Sequence, residues 1–349
     1  MSNFHTLTVS EVKKETPNSV VVSFVVPNDL KQVFKFEAGQ YITFKHVLNG
    51  EEVRRAYSLC SMPGDDVIKV GIKKVEGGTF SVFANEILKE GDSLEVMAPD
   101  GKFVCKTDKD ASKNYAAFVA GSGITPVLSI IKTVLKEEPN SRFLLAFGNQ
   151  SQQETMFYNE LMGLVRDNNE RLQIEWVYSR ERLDGARQGR IDGDIVNYLL
   201  KNKFEYTTFS DFYLCGPEPM IDAVASTLKE QGINEKQIHF ELFTTAEEGL
   251  LLEAHDGDTE ITVVLDDEEK TFTMPQDKTI LEAALAEDLD APFSCQGGIC
   301  STCIARVKEG KAEMKKNQIL TDGEIADGFI LTCQAHPTTA KLVVDFDDV

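Results

Sequence analysis

Long apolar runs are missing from this sequence: no stretch approaches the roughly 20 uninterrupted apolar residues that a membrane-crossing helix needs. The opening MSNFHTLTVSEVKKE also lacks the basic flank and apolar run of a signal peptide, so an unexported, cytoplasmic protein without membrane contact is expected. Basic residues are scarce, with 36 Lys and Arg against 57 Asp and Glu and a net charge of −21. A phosphate backbone demands cations on its protein partner, so direct nucleic-acid binding is not expected. There is no internal repeat and no low-complexity tract. Seven cysteines make an odd number, and four crowd into the final segment, which argues for thiolate ligation in a reducing compartment over a disulfide framework.

What is present is an ordinary globular composition, 42% hydrophobic and 27% charged over 349 residues, with room for two or three domains. Up to about residue 104 the chain reads as short alternating strands (LTVSEV, SVVVSFVV, QYITFKHV, IKVGIKKV, SLEVMAP) between Pro, Gly and Asn/Asp turns, which predicts a small antiparallel barrel. After a polar stretch, YAAFVAG, RFLLAFGN, LQIEWVYS and DFYLCGP are each followed by a loop and a helix-length segment. That alternation predicts a parallel sheet covered by helices, with a Gly C-cap at Gly232. The acidic TTAEEGLLLEAHDG suits a linker. Beyond it a hairpin, a helix over TILEAALAED and a cysteine loop are expected. The resulting divisions are 1–108, 112–243, a linker over 244–257, and 258–349. The last segment carries 8 basic and 19 acidic residues, either a solvating surface or a face that steers a basic partner.

Cys295, Cys300, Cys303 and Cys333 give C-x4-C-x2-C, then 29 residues, then a fourth Cys. This is the spacing of plant-type [2Fe-2S] proteins, in which a tight loop supplies three thiolates and the fold brings in the fourth. Gly297 and Gly298 are expected to take positive φ so that loop amides face the sulfurs. Zinc held by the same four cysteines is the competing reading, but zinc sites usually pair two C-x2-C-like knuckles.

Three further motifs suit flavin and dinucleotide. Arg55-Ala56-Tyr57-Ser58, read as following a barrel strand, offers a cation for pyrophosphate and a ring for stacking. Gly77-Gly78-Thr79-Phe80-Ser81 is a Gly-Gly turn into a helix. Gly121-Ser122-Gly123-Ile124-Thr125-Pro126 is a strand-to-helix turn of the kind that cradles a pyrophosphate, with Pro126 in place of a third glycine. Cys215-Gly216-Pro217 ends a strand where an open parallel sheet places its ligands. Each has a bland alternative, such as an edge-strand Arg, a packed Tyr or a buried Cys.

Taken in order, these motifs resemble the ferredoxin-NADP reductase superfamily with a fused carboxyl-terminal ferredoxin, over nearly the whole chain. FHTLTVSEV, LEVMAPDGKF, AGSGITPVLSII, GRIDGD and CQAHPTTAKLVVDFD are similar to reductase subunits of ring 1,2-phenylacetyl-CoA epoxidases. The resemblance implies an FAD-binding antiparallel barrel, an α/β NAD(P)H-binding domain and an α+β, β-grasp ferredoxin domain. Arg55, Ala56, Tyr57 and Ser58 would hold FAD, with Gly78, Thr79 and Ser81 completing its phosphate site. Gly121, Gly123, Thr125 and Pro126 would face the dinucleotide, and Cys215 with Gly216 would lie beside the nicotinamide. Ser179 and Arg180 resemble the pair that binds the 2′-phosphate of NADPH, which makes NADPH the expected donor ahead of NADH. Glu241 and Phe243 would close over the flavin, and Ser58, Cys215 and Glu241 would serve hydride transfer. One departure is Gly148-Asn149-Gln150 where many relatives have Gly-Asn-Arg, which removes a cation near the adenosine.

The implied path runs from NAD(P)H to FAD to [2Fe-2S] and on to an acceptor protein, by resemblance the di-iron oxygenase of phenylacetate catabolism. A Rieske hydroxylase, a steroid hydroxylase or a hybrid-cluster protein would serve the same residues equally well. A binding subunit without turnover is the alternative of a different class.

Overall fold

The computed structural model describes residues 4–243 and 257–349, so all of the proposed linker except Gly257 lies outside the described residues. The chain divides into two compact units. The larger comprises residues 5–53 and 57–243 and contains two sheets; the remainder, chiefly residues 257–349, forms the second.

The first sheet takes β1 (Phe4–Thr16), β2 (Ser19–Val25), β3 (Tyr41–Leu48), β4 (Glu51–Ser58), β5 (Val67–Lys73) and β6 (Ser93–Met97) in the order β4-β3-β6-β1-β2-β5. Its two edges meet through an antiparallel bridge between Leu59 and Val70 and a bond from Cys60 N to Lys69 O of 2.8 Å, which closes the expected barrel. Closure leaves no edge strand unpaired there. Leu7, Val22, Phe24, Ile42, Phe44, Val70 and Phe80 fill it. A short helix, α1 (Phe80–Glu86), follows the Gly77-Gly78 turn. Contrary to the expectation from sequence, Arg55 to Ser58 do not follow a strand but end one, β4. Asn49 and Gly50 take φ of 55° and 86°, and an Asn-Gly pair in that conformation makes a tight hairpin that turns β3 directly into β4.

The second sheet is parallel, ordered β10-β9-β8-β7-β11-β12, from β7 (Asn114–Ala120), β8 (Arg142–Asn149), β9 (Leu172–Tyr178), β10 (Arg187–Gln188), β11 (Asp211–Cys215) and β12 (Ile238–Glu241). Helices α2 (Ile124–Glu137), α3 (Tyr158–Asp167), α4 (Gly193–Tyr198) and α5 (Glu218–Glu230) alternate with the strands. Gly232 follows α5 with φ +83° and donates to Lys229 O, as its sequence position predicts. The winding runs outward from β7 through β8 and β9, then returns to place β11 on the other side of β7. Such a reversal opens a crevice at the carboxyl ends of the strands. The apolar core beneath this sheet continues into the barrel through Val21, Ala38, Cys60 and Phe103, so the two sheets share packing.

The second unit pairs β13 (Asp258–Leu265), β14 (Glu268–Pro275), β15 (Ile304–Glu309), β17 (Phe329–Leu331) and β19 (Lys341–Asp345) in the order β14-β13-β19-β15-β17, with a small ladder between β16 (Ala312–Met314) and β18 (Ala335–Pro337). Helix α6 (Ile280–Ala286) starts at a capping box between Thr279 and Glu282, and α7 (Asp322–Ala326) at one between Thr321 and Glu324. Among the described residues no helix is long and apolar enough to cross a membrane.

Candidate functional site

Strand β12 runs parallel to β11 with Cys215 in register with Glu241. Ser58, at the end of barrel strand β4, donates its hydroxyl to Glu241 Oε2 at 3.0 Å. Three residues from three strands therefore meet at the mouth of the crevice. All are buried: Ser58 is 3% exposed, Cys215 0% and Glu241 8%. Burial pushes the Glu241 carboxyl up to about 8, against a smaller opposite effect of the Ser58 hydrogen bond. Burial also raises the Cys215 thiol, and Glu241 adds to the rise. A neutral thiol and a carboxyl that can keep its proton near neutrality suit a site for hydride transfer.

The glycine turn is built against this trio. A Cβ on Gly123 would lie 2.2 Å from the Cys215 carbonyl oxygen, so only glycine lets the β7-to-α2 turn press on the end of β11. Thr125 donates to Ser122 O at 3.0 Å and is buried with Pro126 in the first turn of α2. Gly216 packs against Ala120 and Met220.

Two contributors escape a reading of the sequence. Gly71 of β5 is where the barrel meets Thr125, Met156 and Phe157, and Lys73 Nζ stands 3.8 Å from where a Cβ on Gly121 would lie. Both hide in a strand whose alternation reads as ordinary barrel. Two further ties run from α2 to the barrel, Ser129 Oγ to Ser61 O at 2.6 Å and Lys132 Nζ to Cys60 O at 3.0 Å.

On the flavin side, Tyr57 packs with Phe44 and Phe80 at centroid distances of 5.9 and 5.7 Å. Arg55 is exposed, donates to Arg54 O, and has no carboxylate partner among the described residues. Ala56, between Arg55 and Tyr57 in the strand, is half-buried. Ser81 Oγ accepts from Val75 N at 3.2 Å, and a Cβ on Gly78 would lie 2.6 Å from it, so Ser81 and Gly78 shape the turn that presents Thr79. Phe243 closes the described part of this unit, 37% exposed.

Along the sheet, Ser179 N donates to Asn149 O at 3.0 Å and Arg180 N to Gln150 O at 2.9 Å, which joins the loops after β8 and β9. Arg180 is exposed without a carboxylate partner among the described residues. Asn149 Nδ2 is buried with no hydrogen-bond partner among them, an orphaned donor where a dinucleotide is expected. A neighbouring cleft of about 420 Å³, lined by Glu15 and Glu181 among others, is acidic and polar. Its two carboxylates, Glu15 and Glu181, would repel a phosphate placed beside them.

In the second unit, Cys300 Sγ lies 3.1 Å from Cys295 Sγ, and Cys333 donates towards both Cys303 and Cys295. The four sulfurs thus form one contiguous cluster, with Cys295 and Cys333 each touching two others. Hydrogen bonds from Cys300 and Cys333 hold Cys295 far below the usual thiol range, and Cys333 likewise lowers Cys303. Cys300, Cys303 and Cys333 are 5%, 1% and 5% exposed. Among the described residues no three His, Cys, Asp or Glu side chains converge on a single ion. Four thiols clustered at the C-x4-C-x2-C…C spacing suit a [2Fe-2S] cluster, whose irons take four thiolates in all.

The lone Cys333 arrives through the pairing of β15 with β17, which sets Ile304 opposite Leu331, and through Thr332 donating to Cys303 O. Gly297 N donates to Cys295 Sγ at 3.4 Å, as expected of the loop. The expected conformation is corrected, however: positive φ falls on Gln296 (53°) and Gly298 (71°), not on Gly297. A Cβ on Gly298 would meet Lys316 O at 2.8 Å, so this is the position where glycine is required.

Three family models match the chain. An oxidoreductase FAD-binding domain matches residues 6–105, an oxidoreductase NAD-binding domain residues 118–226 and a 2Fe-2S iron-sulfur cluster binding domain residues 263–338. The chain is 39% identical to a subunit of the 1,2-phenylacetyl-CoA epoxidase of Escherichia coli, covering 99% of each chain. It is 33% identical to the ferredoxin reductase component of 3-ketosteroid-9-alpha-monooxygenase from Rhodococcus rhodochrous, covering 97% of this chain and 96% of that one. Phthalate dioxygenase reductase shares the fold at a TM-score of 0.61 and 23% identity, covering 99% and 98%. With a flavin barrel, a nucleotide sheet and an iron-sulfur domain in one polypeptide, the chain is an NAD(P)H-dependent oxidoreductase of the ferredoxin-NADP reductase superfamily, in the branch that carries a fused [2Fe-2S] domain.

Proposed function

We propose that the chain is the reductase component of a multicomponent oxygenase, delivering electrons from NADPH to a di-iron enzyme that acts on phenylacetyl-CoA. The observation that carries the reductase reading is the meeting of Ser58, Cys215 and Glu241 where flavin barrel and dinucleotide turn share one crevice. The 39% identity over the whole length to part of a phenylacetyl-CoA epoxidase supports the choice of acceptor.

When bound, FAD would supply hydride acceptance with single-electron release, and a [2Fe-2S] cluster would supply one-electron transfer. The protein's part is placement. Arg55 would pair with the flavin pyrophosphate while Tyr57 and Ser58 line the ring, with Gly78, Thr79 and Ser81 forming the phosphate turn. The amides of Gly121 and Gly123 at the start of α2 would receive the dinucleotide pyrophosphate, aided by Lys73. Thr125 and Pro126 hold that turn, and Cys215 and Gly216 would bound the nicotinamide. Ser58 and Glu241 would fix the reacting ring edges, with Glu241 keeping a proton available up to about pH 8. Ser179 and Arg180 would take the 2′-phosphate. Cys295, Cys300, Cys303 and Cys333 would ligate the cluster.

The test is steady-state oxidation of NADPH and NADH with a di-iron phenylacetyl-CoA oxygenase present and absent. Stoichiometric coupling of NADPH oxidation to epoxide formation supports the proposal. Coupling to a steroid monooxygenase instead, as the name of the 33% relative suggests, would overturn the choice of acceptor.

A further inference from the structure

We propose that Gln334 is a positioning residue for the iron-sulfur centre, a clamp between the three-cysteine loop and the strand end that bears the fourth cysteine. The proposal rests on the reading of the four cysteines as [2Fe-2S] ligands. Gln334 Nε2 donates to Gln296 O, inside the loop, at 3.0 Å and to Cys333 O at 3.0 Å. Its backbone oxygen accepts from Lys315 N at 3.0 Å, and its own N–H donates to Leu331 O. Its Cγ lies 3.1 Å from where a Cβ on Gly298 would sit, and Gly298 O in turn accepts from Gln318 N. One residue therefore joins the ligand loop, the lone ligand and the segment at 315–318.

The chemistry singles out glutamine. An amide nitrogen carries two hydrogens, and here both go to carbonyls adjoining ligands. Four thiolates make the bound cluster an anion, so carbonyl dipoles beside it must be capped and held in one orientation. Glutamate has the same reach but no hydrogen to give, lysine would add a charge, and asparagine is one methylene short. Gln296 sits at φ +53°, a conformation a non-glycine residue keeps only when its surroundings hold it there, and its carbonyl is the one that Gln334 grips.

The test uses the full-length holoprotein with Q334M, which keeps the side-chain volume without a donor, and Q334E, read side by side. Stoichiometric iron and acid-labile sulfide in the purified holoprotein report that the cysteine-bearing unit of each variant has folded, and a folded variant of either kind suffices. Iron release to a chelator is expected to be about tenfold faster than in the wild type, the order of change that loss of two ordinary hydrogen bonds makes to a local opening. The rhombic signal of the reduced cluster should shift in its principal values. Wild-type release rates with an unchanged signal in a folded variant would overturn the clamp. A wild-type protein without any rhombic signal would instead overturn the iron-sulfur reading on which it rests.

Discussion

Ser58 and Glu241 stand 183 residues apart in the chain and 3.0 Å apart in space, the hydroxyl of a barrel strand donating to a carboxyl on the edge strand of the parallel sheet. That bond joins the flavin half of the larger unit to its dinucleotide half. Because Glu241 is also in register with Cys215, its protonation is felt by the whole trio.

The Glu241 carboxyl is held at about 8 when folded, against an ordinary value of 4.5. The folded chain thus binds this proton more tightly than the unfolded one. The associated stability is fully present below about pH 4.5 and is lost as pH rises through about 8, by at most about 1.4 kcal/mol per pH unit. Urea unfolding at pH 6 and pH 8.5 should show the wild type losing more stability than E241Q over that interval. Equal losses would mean the carboxyl is not perturbed as described.

Gly123→Ala forces a methyl to within 2.2 Å of the Cys215 carbonyl. The turn must retreat from β11, at a cost of about 1–3 kcal/mol, and the dinucleotide seat goes with it. Stopped-flow flavin reduction by NADPH should slow by at least tenfold while FAD remains bound.

How much of this is legible in the sequence depends on range. The cysteine spacing, the glycine turn at Gly121 and the strand-helix alternation are local patterns, and the structure contains each of them. The Ser58 to Glu241 contact is set by how barrel and sheet close on one another, and no local pattern encodes that distance. The Asn49-Gly50 pair is a hairpin signal, yet β4 gives little sign of a strand because its charged residues (EEVRRAYS) obscure the alternation. Gly71 and Lys73 give no signal, since their importance comes from what packs against β5 and not from β5 itself. The left-handed conformation of Gln296 beside Gly297 does not follow from glycine placement, because the tight contact falls at Gly298.

Arg180 is the exposed cation next to Ser179, and its backbone N–H donates to Gln150 O at 2.9 Å. R180A should raise KM for NADPH at least tenfold and leave KM for NADH within about twofold, since only the 2′-phosphate distinguishes them. Q150R should lower KM for NADPH. Parallel changes for both dinucleotides would place the 2′-phosphate elsewhere.

The unit that bears the cysteines carries 19 acidic residues against 8 basic ones over residues 258–349. If this charge steers a basic acceptor, electron transfer to the true oxygenase should slow as salt is raised from about 0.01 to 0.5 M, because the Debye length contracts from about 30 Å to a few ångströms. Transfer to a small neutral acceptor should change little. An insensitive rate with the oxygenase would reduce the acidic surface to a solvating role.

If one chain accepts a hydride at the Cys215 crevice and delivers single electrons through the four-cysteine site, dinucleotide oxidation must reduce the cluster. Anaerobic mixing of the holoprotein with stoichiometric NADPH, followed by freezing and electron paramagnetic resonance, tests it most directly. A rhombic [2Fe-2S] signal is expected to appear with dinucleotide oxidation and to be absent from Cys333→Ala, which still binds FAD. Dinucleotide oxidation with no such signal, or zinc in place of iron in the purified protein, would contradict it.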